Sequence, residues 1–219
     1  MDLLIFDLDG TLIDSEVDLA NSVNATRVHM DREPIDIETV ASWVGNGAPV
    51  LMRRAMGPDA PGEDIEKALA YFLEYYRKHM LDHTQLYPGV RQGLDLLSEA
   101  GVKLAVLTNK PVRFSQGILE GLGLGKHFFR VYGGNSFEQK KPHPVGVEKL
   151  MAEAGVERDR TMMVGDSYVD VRTARNAGVA AAGVTWGLQP DSLKGDPPDL
   201  LVDRMEELEN YVLEKRRRQ

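Results

Sequence analysis

The stretch Leu3-Leu4-Ile5-Phe6-Asp7-Leu8-Asp9-Gly10-Thr11 decides how this chain is read. Four apolar residues run directly into two aspartates one residue apart, and a glycine follows. A short run that is apolar at every position fits a strand buried on both faces, as in a parallel sheet covered by helices. Its carboxyl end would present Asp7 and Asp9 at the mouth of the sheet, where Gly10 permits a turn or a close backbone approach. Carboxylates held that close repel each other unless a cation or a shared proton relieves them. Taken alone, the doublet is either a solvated acidic turn or a site.

Similar apolar runs recur at residues 102–107, 131–132, 162–164, 180–184 and 200–202. Helical patterns lie between them at about 90–100, 112–122, 144–155 and 170–177. This alternation predicts an α/β fold with a doubly wound, Rossmann-like parallel sheet, whose ligands bind at the carboxyl ends of the strands. Residues 15–83 break the alternation. They carry no strand pattern, and in residues 63–79 Ile65, Leu69, Phe72 and Tyr76 recur at helical spacing. Gly57-Pro58-Asp59-Ala60-Pro61-Gly62 reads as a turn between helices. The expected organisation is a core of residues 1–14 and 84–219, with a helical insert of residues 15–83 after the first strand. The chain returns to the core near Tyr87-Pro88-Gly89.

Composition narrows the function classes. The chain has 219 residues, 42% hydrophobic and 27% charged, enough for a sizeable core in one large domain or two smaller ones. A net charge of −8 argues against a general nucleic-acid binder but leaves an anionic small substrate open, since a local cation overrides global charge. The absence of cysteine excludes disulfides, thiolate nucleophiles and cysteine-based zinc sites. No apolar run reaches the roughly 18 residues that cross a bilayer, and Asp7, Asp9 and Asp14 interrupt any leader-like pattern. The expectation is a soluble cytoplasmic protein, monomer or homodimer, without membrane or nucleic-acid partners. The basic run Lys215-Arg216-Arg217-Arg218 reads as a solvated helix terminus favoured by the helix dipole.

Other strand ends give the doublet its context. The second run ends in Thr108-Asn109-Lys110-Pro111, and the run at 162–164 ends in Gly165-Asp166-Ser167, with Asp170 close behind. Lys140-Lys141-Pro142-His143-Pro144 lies between them. Individually, Thr108, Asn109 and Asp166 could cap helices, and Lys141 could be a loop cation in solvent. Together, Asp7, Asp166 and Asp170 suit a hard divalent ion such as Mg²⁺, while Thr108, Asn109 and Lys141 suit a phosphate. That inventory describes a phosphoryl-transfer site.

The segments "DLDGT", "LTN", "KPHP" and "GDSYVD" resemble, in order, the four motifs of the haloacid dehalogenase superfamily, and the helical insert resembles its cap domain. The resemblance implies a role for each residue. Asp7 would be the nucleophile that forms an aspartyl-phosphate. Asp9 would be the general acid/base and would lend its backbone carbonyl to Mg²⁺. Thr108, Asn109, Lys141 and Gly10 would bind the phosphate, with Gly10 also leaving room for the turn, and Lys141 would stabilise charge on the nucleophile and the phosphoryl group. Asp166 would bind Mg²⁺ directly and Asp170 would support it. An aspartate at position 9 points to phosphate-ester hydrolysis or a phosphomutase rather than a dehalogenase or phosphonatase.

Residues 42–57, "LTNKP" and "AGVAAAGVTWGLQP" resemble phosphoglycolate phosphatases, which implies 2-phosphoglycolate as the small phosphate ester. A sugar-phosphate mutase, another small-molecule phosphatase or pyrophosphatase, and a non-catalytic regulatory binding module are the alternatives. In the insert, Gly45-Asn46-Gly47 could offer backbone donors with Arg53-Arg54 on the next helix, or form an ordinary loop with surface arginines. His79 and His83 lack the glutamate and third ligand of a zinc site and read as surface or interface residues. His143 reads as shaping the Lys141 loop, and Trp43 and Trp186 as packing residues.

Overall fold

A computed structural model describes residues 1–217. Its main sheet contains β1 (Leu3–Phe6), β4 (Lys103–Leu107), β5 (Arg130–Tyr132), β6 (Thr161–Gly165), β7 (Ala180–Val184) and β8 (Leu200–Val202) in the order β5-β4-β1-β6-β7-β8. Every neighbouring pair is parallel. The chain builds outward from β1 to one side through β4 and β5, then to the other through β6, β7 and β8. The carboxyl end of β1 therefore sits at the switch point where such sheets bind ligands.

The unbroken apolar character of the strands follows from burial on both faces. Leu4 and Phe6 pack toward α5 (Val90–Glu99), α6 (Val112–Gly121) and α9 (Met205–Arg217), among Leu94, Leu97, Phe114, Ile118, Leu208 and Val212. Leu3 and Ile5 alternate to the opposite face, toward α7 (Val145–Ala154) and α8 (Tyr168–Ala177), among Val147, Leu150, Val171 and Ala174. The α/β reading is correct, with element ends within about two residues of expectation.

The insert contains α1 (Glu16–His29), α2 (Ile37–Ala41), α3 (Ala48–Met56) and α4 (Gly62–His79). α4 follows Pro61, carries Glu63 and Asp64 in its first turn and ends in Arg77, Lys78 and His79, a charge order that complements the helix dipole. Phe72 and Tyr76 of α4 are buried and Ile65 and Leu69 partly so, as their spacing predicts. They join Leu19, Val23, Met52 and Met56 in a core continuous with the α5/α6/α9 face of the sheet, so the cap is seated on the core.

Sequence reading did not find the two short strands at the junction. β2 (Ile13–Asp14) and β3 (Gln85–Leu86) pair antiparallel where the chain enters and leaves the insert, with Ile13 opposite Leu86 and Asp14 opposite Gln85. Strands of two residues carry no periodicity to detect. Beside them, buried Asp18 of α1 accepts hydrogen bonds from His83 N and Thr84 N at 3.0 and 2.8 Å, and from Thr84 Oγ1 at 2.8 Å. Although burial pushes the other way, these donors hold the Asp18 pKa below the ordinary carboxylate value.

At the other end of the chain, Arg216 bonds Asp2 Oδ1 at 2.7 Å, so the basic terminus of α9 is partly anchored rather than wholly solvated. Arg218 lies outside the described residues. Among the described residues, no helix is long and apolar enough to cross a membrane.

Candidate active site

Strand register builds the site. Phe6 pairs with Val106 on one side and Val164 on the other, so the chain ends at Asp7, Thr108 and Asp166 emerge side by side. Carboxylate oxygens of Asp7, Asp166 and Asp170 all lie within 4.8 Å of one another, and all three residues are buried. Lys141 reaches into the group, its Nζ 3.0 Å from Asp7 Oδ1 and 2.6 Å from Asp170 Oδ1. Leu8 N donates to Asp7 Oδ1 at 2.7 Å.

α8 begins at Tyr168, two residues before the expected helical stretch, and Asp170 forms a capping box with Ser167, accepting from Ser167 Oγ at 2.8 Å. Asp166 does not cap α8. Its Oδ2 accepts from Leu188 N at 2.7 Å and Gln189 N at 3.0 Å, in the loop after β7. Neither Thr108 nor Asn109 caps α6, whose N-cap is Pro111. His143 accepts from Val145 N at 3.2 Å and so shapes the Lys141 loop.

Charge in this pocket is unbalanced. Burial, reinforced by the neighbouring Asp170 and Asp7 charges, pushes the Asp166 pKa up to about 8. Burial raises Asp7 to about 6, Asp170 adds to the rise, and Lys141 opposes it. Burial disfavours the Lys141 ammonium, yet Asp170 and Asp7 outweigh it and keep the group above the usual lysine range. Three buried carboxylates thus share one cation. An oxygen-only donor set with excess negative charge fits a hard divalent ion.

Gly10 is required by contact as well as by its positive φ of 80°, for a Cβ there would lie 2.2 Å from Asp166 Oδ2. Gly187 is confined similarly, since its Cβ would stand 2.3 Å from both the Gly10 carbonyl oxygen and Asp166 Cβ.

Asp9 is not part of the three-carboxylate cluster. It accepts from Ser15 Oγ at 2.6 Å and pairs with Lys110 Nζ at 2.8 and 3.0 Å. Asn109 Nδ2 donates to the Lys141 carbonyl at 3.1 Å and to the Gly45 carbonyl of the cap at 2.9 Å. A cleft of about 40 Å³, room for a few water-sized groups, opens beside Asp7 and Asp9 between Leu51, Phe72 and Tyr76 of the cap and Phe114 of the core. Neither Arg53 nor Arg54 lines it. Arg54 instead bonds the Trp43 carbonyl and Asn46 Oδ1 at 2.9 and 3.0 Å, and Arg53 is exposed. His79 and His83 do not converge on a ligand; His79 bonds Asp82 and His83 bonds Asp18.

With this geometry in place, comparison with known proteins decides the family. The family model described as haloacid dehalogenase-like hydrolase matches residues 4–184. The chain is a haloacid dehalogenase-like hydrolase. It is 41% identical over 207 residues to the phosphoglycolate phosphatase of Chromobacterium violaceum, covering 93% of this chain and 92% of that one. It is also 41% identical over 213 residues to the phosphoglycolate phosphatase of Pseudomonas putida strain KT2440, covering 94% and 78%. A crystal structure of a predicted phosphoglycolate phosphatase from Haemophilus somnus superposes with a TM-score of 0.90 at 32% identity, covering 95% of this chain and 96% of that one. By class this hydrolase is a phosphoric monoester hydrolase.

Three parts of the hydrolase's site were not assigned from sequence. Lys110 has no role implied by the resemblance, and its position directly after Asn109 beyond the end of β4 is the one local signal for it. Tyr76 shows in the sequence only its place in a helical spacing. Gln189, in the loop after β7, donates from Nε2 to the cap carbonyls of Ser42 and Val44 at 2.9 and 2.6 Å. That loop leaves the carboxyl end of a sheet strand, where ligand sites gather.

Proposed function

We propose that the protein is a Mg²⁺-dependent phosphatase of small phosphate monoesters, acting on 2-phosphoglycolate to give glycolate and inorganic phosphate. The observation that carries this reading is the buried Asp7/Asp166/Asp170 cluster around Lys141 at the carboxyl ends of β1 and β6. The naming of similar proteins as phosphoglycolate phosphatases and a small cleft beside Asp7 and Asp9 support the substrate. Residues 1–14 and 84–219 form the catalytic core and residues 15–83 the cap, in a cytoplasmic monomer or homodimer.

Asp7 attacks phosphorus in line, and the bond from phosphorus to the leaving oxygen breaks as the Asp7–phosphorus bond forms. Asp9 gives its proton to the leaving oxygen. It then takes a proton from the water that attacks the aspartyl-phosphate, which frees Asp7 and inorganic phosphate. Thr108 and Asn109 hold phosphate oxygens, with Asn109 exchanging its Gly45 partner for the substrate. Lys141 balances charge on Asp7 and the phosphoryl group. The Asp7 and Asp166 carboxylates and the Asp9 carbonyl would hold Mg²⁺, with Asp170 supporting them. When bound, the ion screens the repulsion between Asp7 and the phosphate.

Phosphate release from 2-phosphoglycolate, hexose phosphates, nucleotides and pyrophosphate, measured with and without Mg²⁺, tests the reading. The expected result is steady, Mg²⁺-dependent release that favours 2-phosphoglycolate and is abolished by Asp7→Asn. Return of the phosphoryl group to a sugar phosphate without net release would instead identify a mutase.

A further inference from the structure

Lys110 is the one cation among the described residues that line the cleft, whose walls are otherwise largely apolar. Its side chain is 5% exposed, pairs with both Asp9 oxygens, and places Nζ 4.5 Å from the centroid of the Tyr76 ring. Burying an ammonium is unfavourable unless its charge and its protons are compensated. Asp9 accounts for two of the three ammonium protons, and the ring face contributes attraction without accepting a conventional hydrogen bond.

Asp9 does not depend on Lys110 alone, because Ser15 Oγ already donates to it. The Tyr76 hydroxyl and Asn109 Oδ1, both buried and without a hydrogen-bond partner among the described residues, belong to residues lining the same cleft. Gly47 and Ala48 at the start of α3 also line it, adding the positive end of a helix. Charge recognition in this cleft therefore falls to Lys110.

We propose that Lys110 is the specificity-determining residue for the leaving group, and that it selects phosphate esters of short hydroxy-carboxylic acids by pairing with their carboxylate. This rests on the phosphatase reading and adds to it the residue that distinguishes a carboxylate from a neutral group of similar size. An anion that enters the cleft shares the Lys110 ammonium with Asp9, whereas Lys141, which does not line the cleft, is held by Asp7 and Asp170.

The test compares kcat/KM for 2-phosphoglycolate with that for 2-hydroxyethyl phosphate, a neutral analogue of similar size, in the parent, Lys110→Met and Lys110→Arg proteins. The parent should prefer the carboxylate ester. Lys110→Met should lower that preference by ~10²-fold, the upper scale for losing one hydrogen bond to a charged group, and Lys110→Arg should restore most of it. Equal loss on both esters would overturn the assignment, because Lys110 would then serve Asp9 alone. If the parent hydrolyses neither ester, the 2-phosphoglycolate reading has failed, and ligand-observed NMR of glycolate binding still decides the role of Lys110. Weaker binding to Lys110→Met than to the parent would uphold it, and equal binding would refute it.

Discussion

Gln189→Ala removes a side chain that ties the loop behind Asp166 to the cap. The side-chain amide holds the carbonyls of Ser42 and Val44 at 2.9 and 2.6 Å, while the Gln189 main-chain N–H holds Asp166 Oδ2 at 3.0 Å. The substitution deletes the first set and leaves the second intact, because the main chain is unchanged. Two hydrogen bonds of net worth 0.5–1.5 kcal/mol each favour the seated cap by about 1–3 kcal/mol. With about 1.4 kcal/mol per tenfold, the closed-to-open ratio should fall by roughly 5- to 150-fold. Steady-state kinetics should show kcat/KM reduced by up to that factor, while a calorimetric Mg²⁺ titration stays near the parent. The chain's 2 tryptophans, Trp43 and Trp186, flank this junction, so their emission should shift as the cap lifts. Parent-like kcat/KM together with parent-like emission would refute the reasoning.

Other perturbations test different contacts. Gly10→Ala forces a Cβ to within 2.2 Å of Asp166 Oδ2 at a backbone φ of 80°. It should lose Mg²⁺ binding by calorimetry and lower turnover by ~10²-fold or more; a parent-like titration would show that Asp166 relaxes without consequence. Asp18→Asn replaces a carboxylate that accepts only N–H and O–H donors with an amide that offers a donor to them. It should cost about 2–4 kcal/mol and lower the melting temperature by roughly 4–16 °C. Because the folded Asp18 pKa is depressed, its contribution is present above the ordinary pKa of 3.8 and is lost as pH falls below it. Asp7 and Asp166 behave in the opposite sense. Their folded pKa values are raised from 3.8 to about 6 and about 8, so metal-free protein should lose stability as pH rises from 4 to 8. Differential scanning fluorimetry in chelator should show that slope, and Mg²⁺ should flatten it.

The core of this molecule was readable because its chemistry is written in runs. Leu3 to Phe6 must be apolar on both faces to lie between two helix layers, and Asp7 follows immediately where the strand ends. The same rule placed Thr108 and Asp166. Asp170 was harder, since its carboxylate serves a helix cap, an ion pair with Lys141 and the acidic cluster together, and only the first of these has a local signature. Lys110 and Gln189 lie beyond strand ends, but their partners were illegible for a different reason. Lys110 takes its meaning from Asp9, remote in sequence, and from the Tyr76 ring of the cap, while Gln189 takes its meaning from cap carbonyls at residues 42 and 44. Such tertiary partners leave no periodicity. Arg53 and Arg54 left two readings open, a substrate contact or surface arginines beside an ordinary loop, and the structure agrees with the second: both are exposed and neither lines the cleft.

The ribbon at the junction has a consequence for how this molecule can change. Ile13 faces Leu86 and Asp14 faces Gln85, so the chain leaves the sheet domain and re-enters it at neighbouring points. Whatever is spliced between those points needs only to bring its two ends together; the alignment of β1 with β4 and β6 is fixed elsewhere. The cap is in that sense a cassette. A bundle of different length or wall chemistry could replace it and meet the same aspartates, leaving the reaction in place while the set of acceptable molecules is redrawn.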